Sequence, residues 1–169
     1  KLMKSMFQIG SAQIFSTLMS IIKMKGIAII LGPSGLGLLS IFNSFFNVGQ
    51  QVTGLGMKVS AVRKISSHHD LADLSNIKSV LFIAHMIQGL CAMTGVWFFR
   101  EKISILIFGV TNFSNAIGII GISILIALLN HTHIALLQGT QRISDLGRIT
   151  ILGSLLSTIF GLLAIFFAG

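Results

Sequence analysis

The chain has 169 residues, 53% hydrophobic and 9% charged, with a mean hydropathy of +0.92. Soluble domains carry about 25% charged residues, so a water-soluble globular fold is excluded. A net charge of +8 and a pI near 10.5 would suit a nucleic-acid partner only if the basic residues gathered on a water-facing surface; they fall mostly between apolar runs, so no nucleic-acid partner is expected and membrane orientation accounts for the charge.

A bilayer core of about 30 Å needs roughly 20 helical residues. Five apolar runs of that length are read, near 9–32, 36–57, 78–98, 115–137 and 149–168. Each is expected to be helical, because an isolated span in lipid must satisfy its backbone hydrogen bonds internally and the runs lack the alternation of barrel strands. The fold class is therefore all-α, a polytopic membrane protein of about five transmembrane helices. Eighteen glycines and thirteen phenylalanines without a tyrosine fit such a bundle. A cleaved signal peptide is not expected, since the first run is long, interrupted by lysine and lacks a small-residue cleavage site. The start at Lys1 and an odd number of spans ending at Gly169 are expected of part of a longer chain.

Between the first two runs lies Gly32-Pro-Ser-Gly35-Leu-Gly37, read as a tight external turn of a helical hairpin. It lacks the Gly-Lys-Ser/Thr ending of a phosphate-binding loop and follows a helix, so a nucleotide site is set aside. Lys1 and Lys4 precede the first span, Lys58, Arg63, Lys64 and Lys78 separate the second from the third, and Arg142 and Arg148 separate the fourth from the fifth. The other side has only Arg100 and Lys102, beside Glu101. This asymmetry predicts a cytoplasmic N-terminus. The long connection from Lys58 to Lys78 suits a short interfacial helical turn, with Ser75 capping the third span. His68, His69 and Asp70 within it are weighed as metal ligands and set aside, because adjacent residues diverge and no partner cluster is visible; no metal and no cofactor are expected. Cys91, the one cysteine, falls inside an apolar run and reads as packing.

Polar residues recur inside the spans at helical spacing. The first has Gln13, Ser16, Thr17, Ser20 and Lys23; the second has Asn43, Asn47, Gln50, Gly54 and Lys58, with Gln51 alongside. Simple interhelical hydrogen bonding would explain one or two amides, whereas two stripes this long suggest a water-accessible cavity. A lysine near mid-bilayer costs about 2.5–3.5 kcal/mol on insertion scales, so Lys23 and Lys25 require water, a partner or an anionic ligand. Snorkelling is the bland alternative. Lys23 continues the stripe, while Lys25 lies about 200° around the helix from it; which of the two faces the cavity stays open. The expected substrate cavity comprises Lys23, Lys25, Gln13, Ser20, Asn43, Asn47 and Gln50. His85, His131 and His133 read either as neutral histidines bonded to neighbours or as a proton relay. Gly153, Ser157 and Gly161, four apart, form a small-residue ridge for close packing.

A basic position followed by IAIILGPSGLGLLSIFNSFFNVGQQVTGLGMKVSAVRKIS resembles the opening hairpin of bacterial O-antigen and oligosaccharide flippases (Wzx-type), and ALLQGTQRISDLGRITILGSLLSTIFGLL resembles the turn between their fourth and fifth helices. These flippases belong to the multidrug/oligosaccharidyl-lipid/polysaccharide exporter superfamily. The resemblance implies part of the N-terminal lobe of a MATE-like fold, with residues 1–169 completed by further C-terminal helices. It implies translocation of an undecaprenyl-pyrophosphate-linked oligosaccharide across the bacterial inner membrane for O-antigen and lipopolysaccharide synthesis. It also points to a basic residue seven before the hairpin glycine, here Lys25. The partners implied are the lipid-linked oligosaccharide, membrane lipid and the remaining helices.

Two other functions are weighed. A multidrug cation antiporter of the same superfamily would often use a membrane-embedded carboxylate, yet Asp70, Asp73, Glu101 and Asp145 fall in predicted loops. A small non-transporting assembly subunit would require the chain to be a whole gene product. An enzyme is not expected, because no nucleophile, base and orienting residue form a set.

Overall fold

A computed structural model describes residues 2–66 and 71–168 of the chain. Every regular element among them is helical: α1 (Leu2–Gly54), α2 (Met57–Ser66), α3 (Leu71–Phe108), α4 (Ser114–Gly139) and α5 (Ile143–Ala168). The spans leave many large apolar side chains outward, with Ile29 76%, Leu106 85% and Phe98 86% exposed. That much apolar surface is stable in lipid and not in water.

Among the described residues four helices are long and apolar enough to cross a membrane, beginning with 45 residues of α1, Gly10–Gly54. At 1.5 Å per residue this stretch would measure about 68 Å, twice a bilayer core. It is broken at Gly32, whose φ of 69° and ψ of −174° are not helical. Glycine tolerates the positive φ, and the following Pro33 disfavours helical geometry at the residue before it. Pro33 then suits the first turn of a new helix, where its missing N–H costs nothing. The expected turn over Gly32–Gly37 is therefore corrected to one residue, with helix resuming at Pro33. The arms 10–31 and 33–54 are each long enough to span.

The chain divides into two compact units, Lys1–Ile41 with Gln141–Gly169, and Phe42–Thr140. In the first, the early arm of α1 runs parallel to α5: Met19 meets Thr158, the Lys23 stem meets Gly161, and Gly26 opposes Leu162, the numbers rising together. In a chain that recrosses the bilayer at each connection, parallel helices are an even number of crossings apart. That parallel pairing fits five crossings, with α1 counted as two.

In the second unit α3 and α4 form an antiparallel pair. Gly89 opposes Leu125, Gly121 opposes Val96, and the rings of Phe108 and Phe113 pack at a tilt of 44° with centroids 4.6 Å apart at the connecting turn. Ser104 closes that turn by donating to the Val110 carbonyl at 2.6 Å. The late arm of α1 runs parallel to α4, with Gly49 beside Ile124 and Gly54 beside Leu128. The short α2 docks through Ala61 and Ile65 onto Leu81 and Ala135. Gly139 makes this docking possible, since a Cβ there would lie 2.5 Å from Ile65.

Three local expectations are corrected. Ser75 is no cap, because α3 starts at Leu71 and Ser75 accepts a bond from Ser79 one turn later. Asp73, Glu101 and Asp145 lie in helical extensions rather than loops. Cys91 is exposed rather than packed inside. His68, His69 and Asp70 lie outside the described residues.

Candidate functional site

In the first unit, the early arm of α1 presents two different faces. One rests on α5: the Thr158 hydroxyl donates to the Met19 carbonyl at 3.4 Å, and Lys23 Nζ donates to Ser157 Oγ at 3.1 Å. The methylene stem of Lys23 crosses Gly161, where an added Cβ would lie 3.2 Å from Cδ. Two members of the small-residue ridge thus seat a lysine, glycine making room for the stem and serine accepting from the ammonium.

The other face forms a groove of about 440 Å³ lined by Thr17, Ser20, Ile21, Met24, Lys25 and Ala28. Lys25 is exposed there, whereas Lys23 is half-buried. The groove thus combines an ammonium and two hydroxyls with an apolar floor. Thr17 donates to the Gln13 carbonyl at 2.9 Å, which leaves its oxygen free to accept. Gln13 itself is exposed and does not line the groove.

In the second unit a cavity of about 440 Å³ is lined by Asn47, Gln50, Gln51, Gly54, Gly56 and His131. Three amides and an imidazole supply both donors and acceptors. Asn43 is exposed outside this lining. The seven residues expected at a substrate cavity therefore divide, with Ser20 and Lys25 in one groove, Asn47 and Gln50 in one cavity, and Lys23, Gln13 and Asn43 elsewhere.

His131 also touches a buried polar cluster. Its ring centroid lies 6.4 Å from that of His85, edge to face. His85 is fully buried, with Nδ1 2.9 Å from Thr132 Oγ1 and Nε2 without a partner. One turn along α3, Gln88 donates from Nε2 to the Met57 sulfur at 2.9 Å, and its Oε1 is also unpartnered. Unsatisfied buried polar atoms are costly, so this cluster is suited to admitting water or a proton. Of the three histidines expected to form a relay, the structure brings His85 and His131 together and leaves His133 exposed.

Sequence reasoning missed Thr132 as the partner of His85. Residues 131, 132 and 133 diverge by about 100° each, so Thr132 points at His85, His131 reaches its ring from one side, and His133 turns away. It also missed the seat of Lys23, although the ridge on α5 was visible. Among the described residues no group of three or more His, Cys, Asp or Glu could hold a metal ion.

The fold and these sites define a multi-pass, all-α membrane protein with a cation and a set of amides held inside its apolar helices. Residues 26–169 match the polysaccharide biosynthesis protein family, and the chain belongs to that family. No curated protein and no solved structure matches it.

Proposed function

We propose that this chain takes part in translocating an undecaprenyl-pyrophosphate-linked oligosaccharide from the cytoplasmic to the periplasmic leaflet of the bacterial inner membrane, as in the Wzx-type O-antigen flippases it resembles. The observation that carries the reading is Lys25 in an open groove with Thr17 and Ser20, inside a helix otherwise built for lipid. Lys23 is partly compensated by Ser157. Lys25 finds only hydroxyls of its own helix in the groove, and an anionic headgroup would offset the cost of its charge. The amides of Asn47, Gln50 and Gln51 suit sugar hydroxyls, which both donate and accept. Membership in a polysaccharide biosynthesis family agrees with such a cargo.

In this reading the N-terminus is cytoplasmic, further C-terminal helices complete the translocation path, and the protein does no covalent chemistry. His85 and His131 are the proton carriers if transport is coupled to a proton gradient. The test is made in cells lacking the native transporter and supplied with the full-length gene. Lys25→Gln is expected to abolish surface polymer and hold the lipid-linked precursor on the cytoplasmic leaflet, at normal membrane levels of the protein. Normal polymer from that variant would overturn the cationic groove. Translocation indifferent to the proton gradient would remove the histidines as coupling groups while leaving the groove in place.

A further inference from the structure

Where α2 meets α3, a second, quite different groove of about 350 Å³ lies within the second unit. Its walls are apolar, with Ala61 from α2 and Ile77, Val80 and Leu81 from α3; its polar members are Ser60, Lys64 and Asn76. From this geometry we infer that the groove holds one anionic phospholipid, with an acyl chain against the apolar walls and the phosphate at Lys64, Ser60 and Asn76.

Four observations carry this assignment. The groove is built rather than incidental, because Ala61 and Ile65 pin α2 onto Leu81 and Ala135 and leave its Ser60 and Lys64 face beside α3. The lining residues of α2 follow helical spacing along one face, at 57, 60, 61 and 64. Lys58, Arg63 and Lys64 on α2 and Lys78 on α3 outnumber Asp73 in the first turn of α3, so the neighbourhood is net positive and complements an anion. Lastly, α2 is a short amphipathic helix joining two membrane-spanning segments, the position in which basic side chains meet phosphate headgroups. An ammonium, a hydroxyl and an amide N–H can all donate to phosphate oxygens. The apolar walls favour a lipid over free phosphate, and the positive charge of the rim disfavours a second copy of the same helix. The volume falls within the usual range of ligand pockets, about 300–1,000 Å³. Polysaccharide translocation does not bear on this inference, which stands or falls separately.

Native mass spectrometry of the purified full-length protein, delipidated and then offered phosphatidylglycerol or phosphatidylcholine of identical acyl chains, tests it. Phosphatidylglycerol is expected to be retained about fivefold better, the effect of roughly one basic residue at an anionic surface. Lys64→Gln, at an exposed position, is expected to erase that preference. Val80→Trp, which fills the groove, should reduce retention of both lipids, and Lys102→Gln should change neither. Equal retention of the two lipids by the unaltered protein would overturn the inference, as would an unchanged preference in Lys64→Gln together with unchanged retention in Val80→Trp. Displacement of phosphatidylglycerol by millimolar inorganic phosphate alone would equally count against a lipid, because the acyl chain would then contribute nothing.

Discussion

In the Phe42–Thr140 unit, His85, Thr132 and Gln88 turn inward, each with one hydrogen bond to another helix, and glycines let the helices close around them. In the unit containing the early arm of α1 and α5, Thr158 is buried but Thr17, Ser20 and Ser157 are exposed, and one of two neighbouring lysines faces an open groove. The difference is between polar groups that hold helices together, such as His85 and Thr132, and groups open to a ligand, which are Lys25 in one unit and the amides of Asn47, Gln50 and Gln51 in the other. Lys23, with its stem over Gly161 and its ammonium on Ser157, belongs with the first kind; Lys25 belongs with the second.

The sharpest way to break the inward-facing unit is to push α2 off α4. Gly139→Leu must displace Ile65, whose Cβ already lies 2.6 Å from where a new Cβ would sit. A loss of about 3 kcal/mol is expected from such overpacking. Thermal unfolding in detergent reads it, and an unchanged midpoint would mean the docking of α2 is not part of the folded core. Smaller is the effect of Thr132→Val, which removes the hydroxyl paired with His85. It should cost about 1–2 kcal/mol. A double-mutant cycle with His85→Leu should return a coupling of about 1 kcal/mol, whereas simple additivity would show that the two side chains do not support each other. The smallest change belongs to the outward-facing unit. Ser157→Ala removes one exposed hydrogen bond to Lys23 and should cost less than about 1 kcal/mol, leaving surface polymer near normal. A block in transport from this substitution would move Lys23 into the functional class and dissolve the contrast.

The sequence made the class of fold and most helix positions legible, because lipid imposes a length and a hydropathy that single spans must meet alone. The break at Gly32 was legible for the same reason, from glycine followed by proline within a run twice the needed length. The polar stripe left the choice between the two lysines open. Steps of three, four and three residues from Gln13 to Lys23 fall short of whole turns by about 80° in total, so the stripe drifts away from the groove and reaches α5 at Lys23. Tertiary partners were equally hidden: nothing local says that Thr132, rather than either adjacent histidine, will hydrogen-bond His85. The groove between α2 and α3 left only a basic helix as its trace, because its walls come from residues some 20 apart in the chain.

The contrast between the two lysines is tested most directly by binding. Purified full-length protein is titrated with a short-chain isoprenyl pyrophosphate, comparing Lys25→Gln and Lys23→Gln with the unaltered chain. Removing a charge-assisted hydrogen bond at an accessible site should weaken binding about tenfold, equivalent to about 1.4 kcal/mol, in Lys25→Gln. Lys23→Gln should stay within about threefold, because its ammonium is engaged by Ser157. The reverse order, with Lys23→Gln the more damaging and Lys25→Gln near normal, would contradict the assignment of the groove as the place where the anion binds.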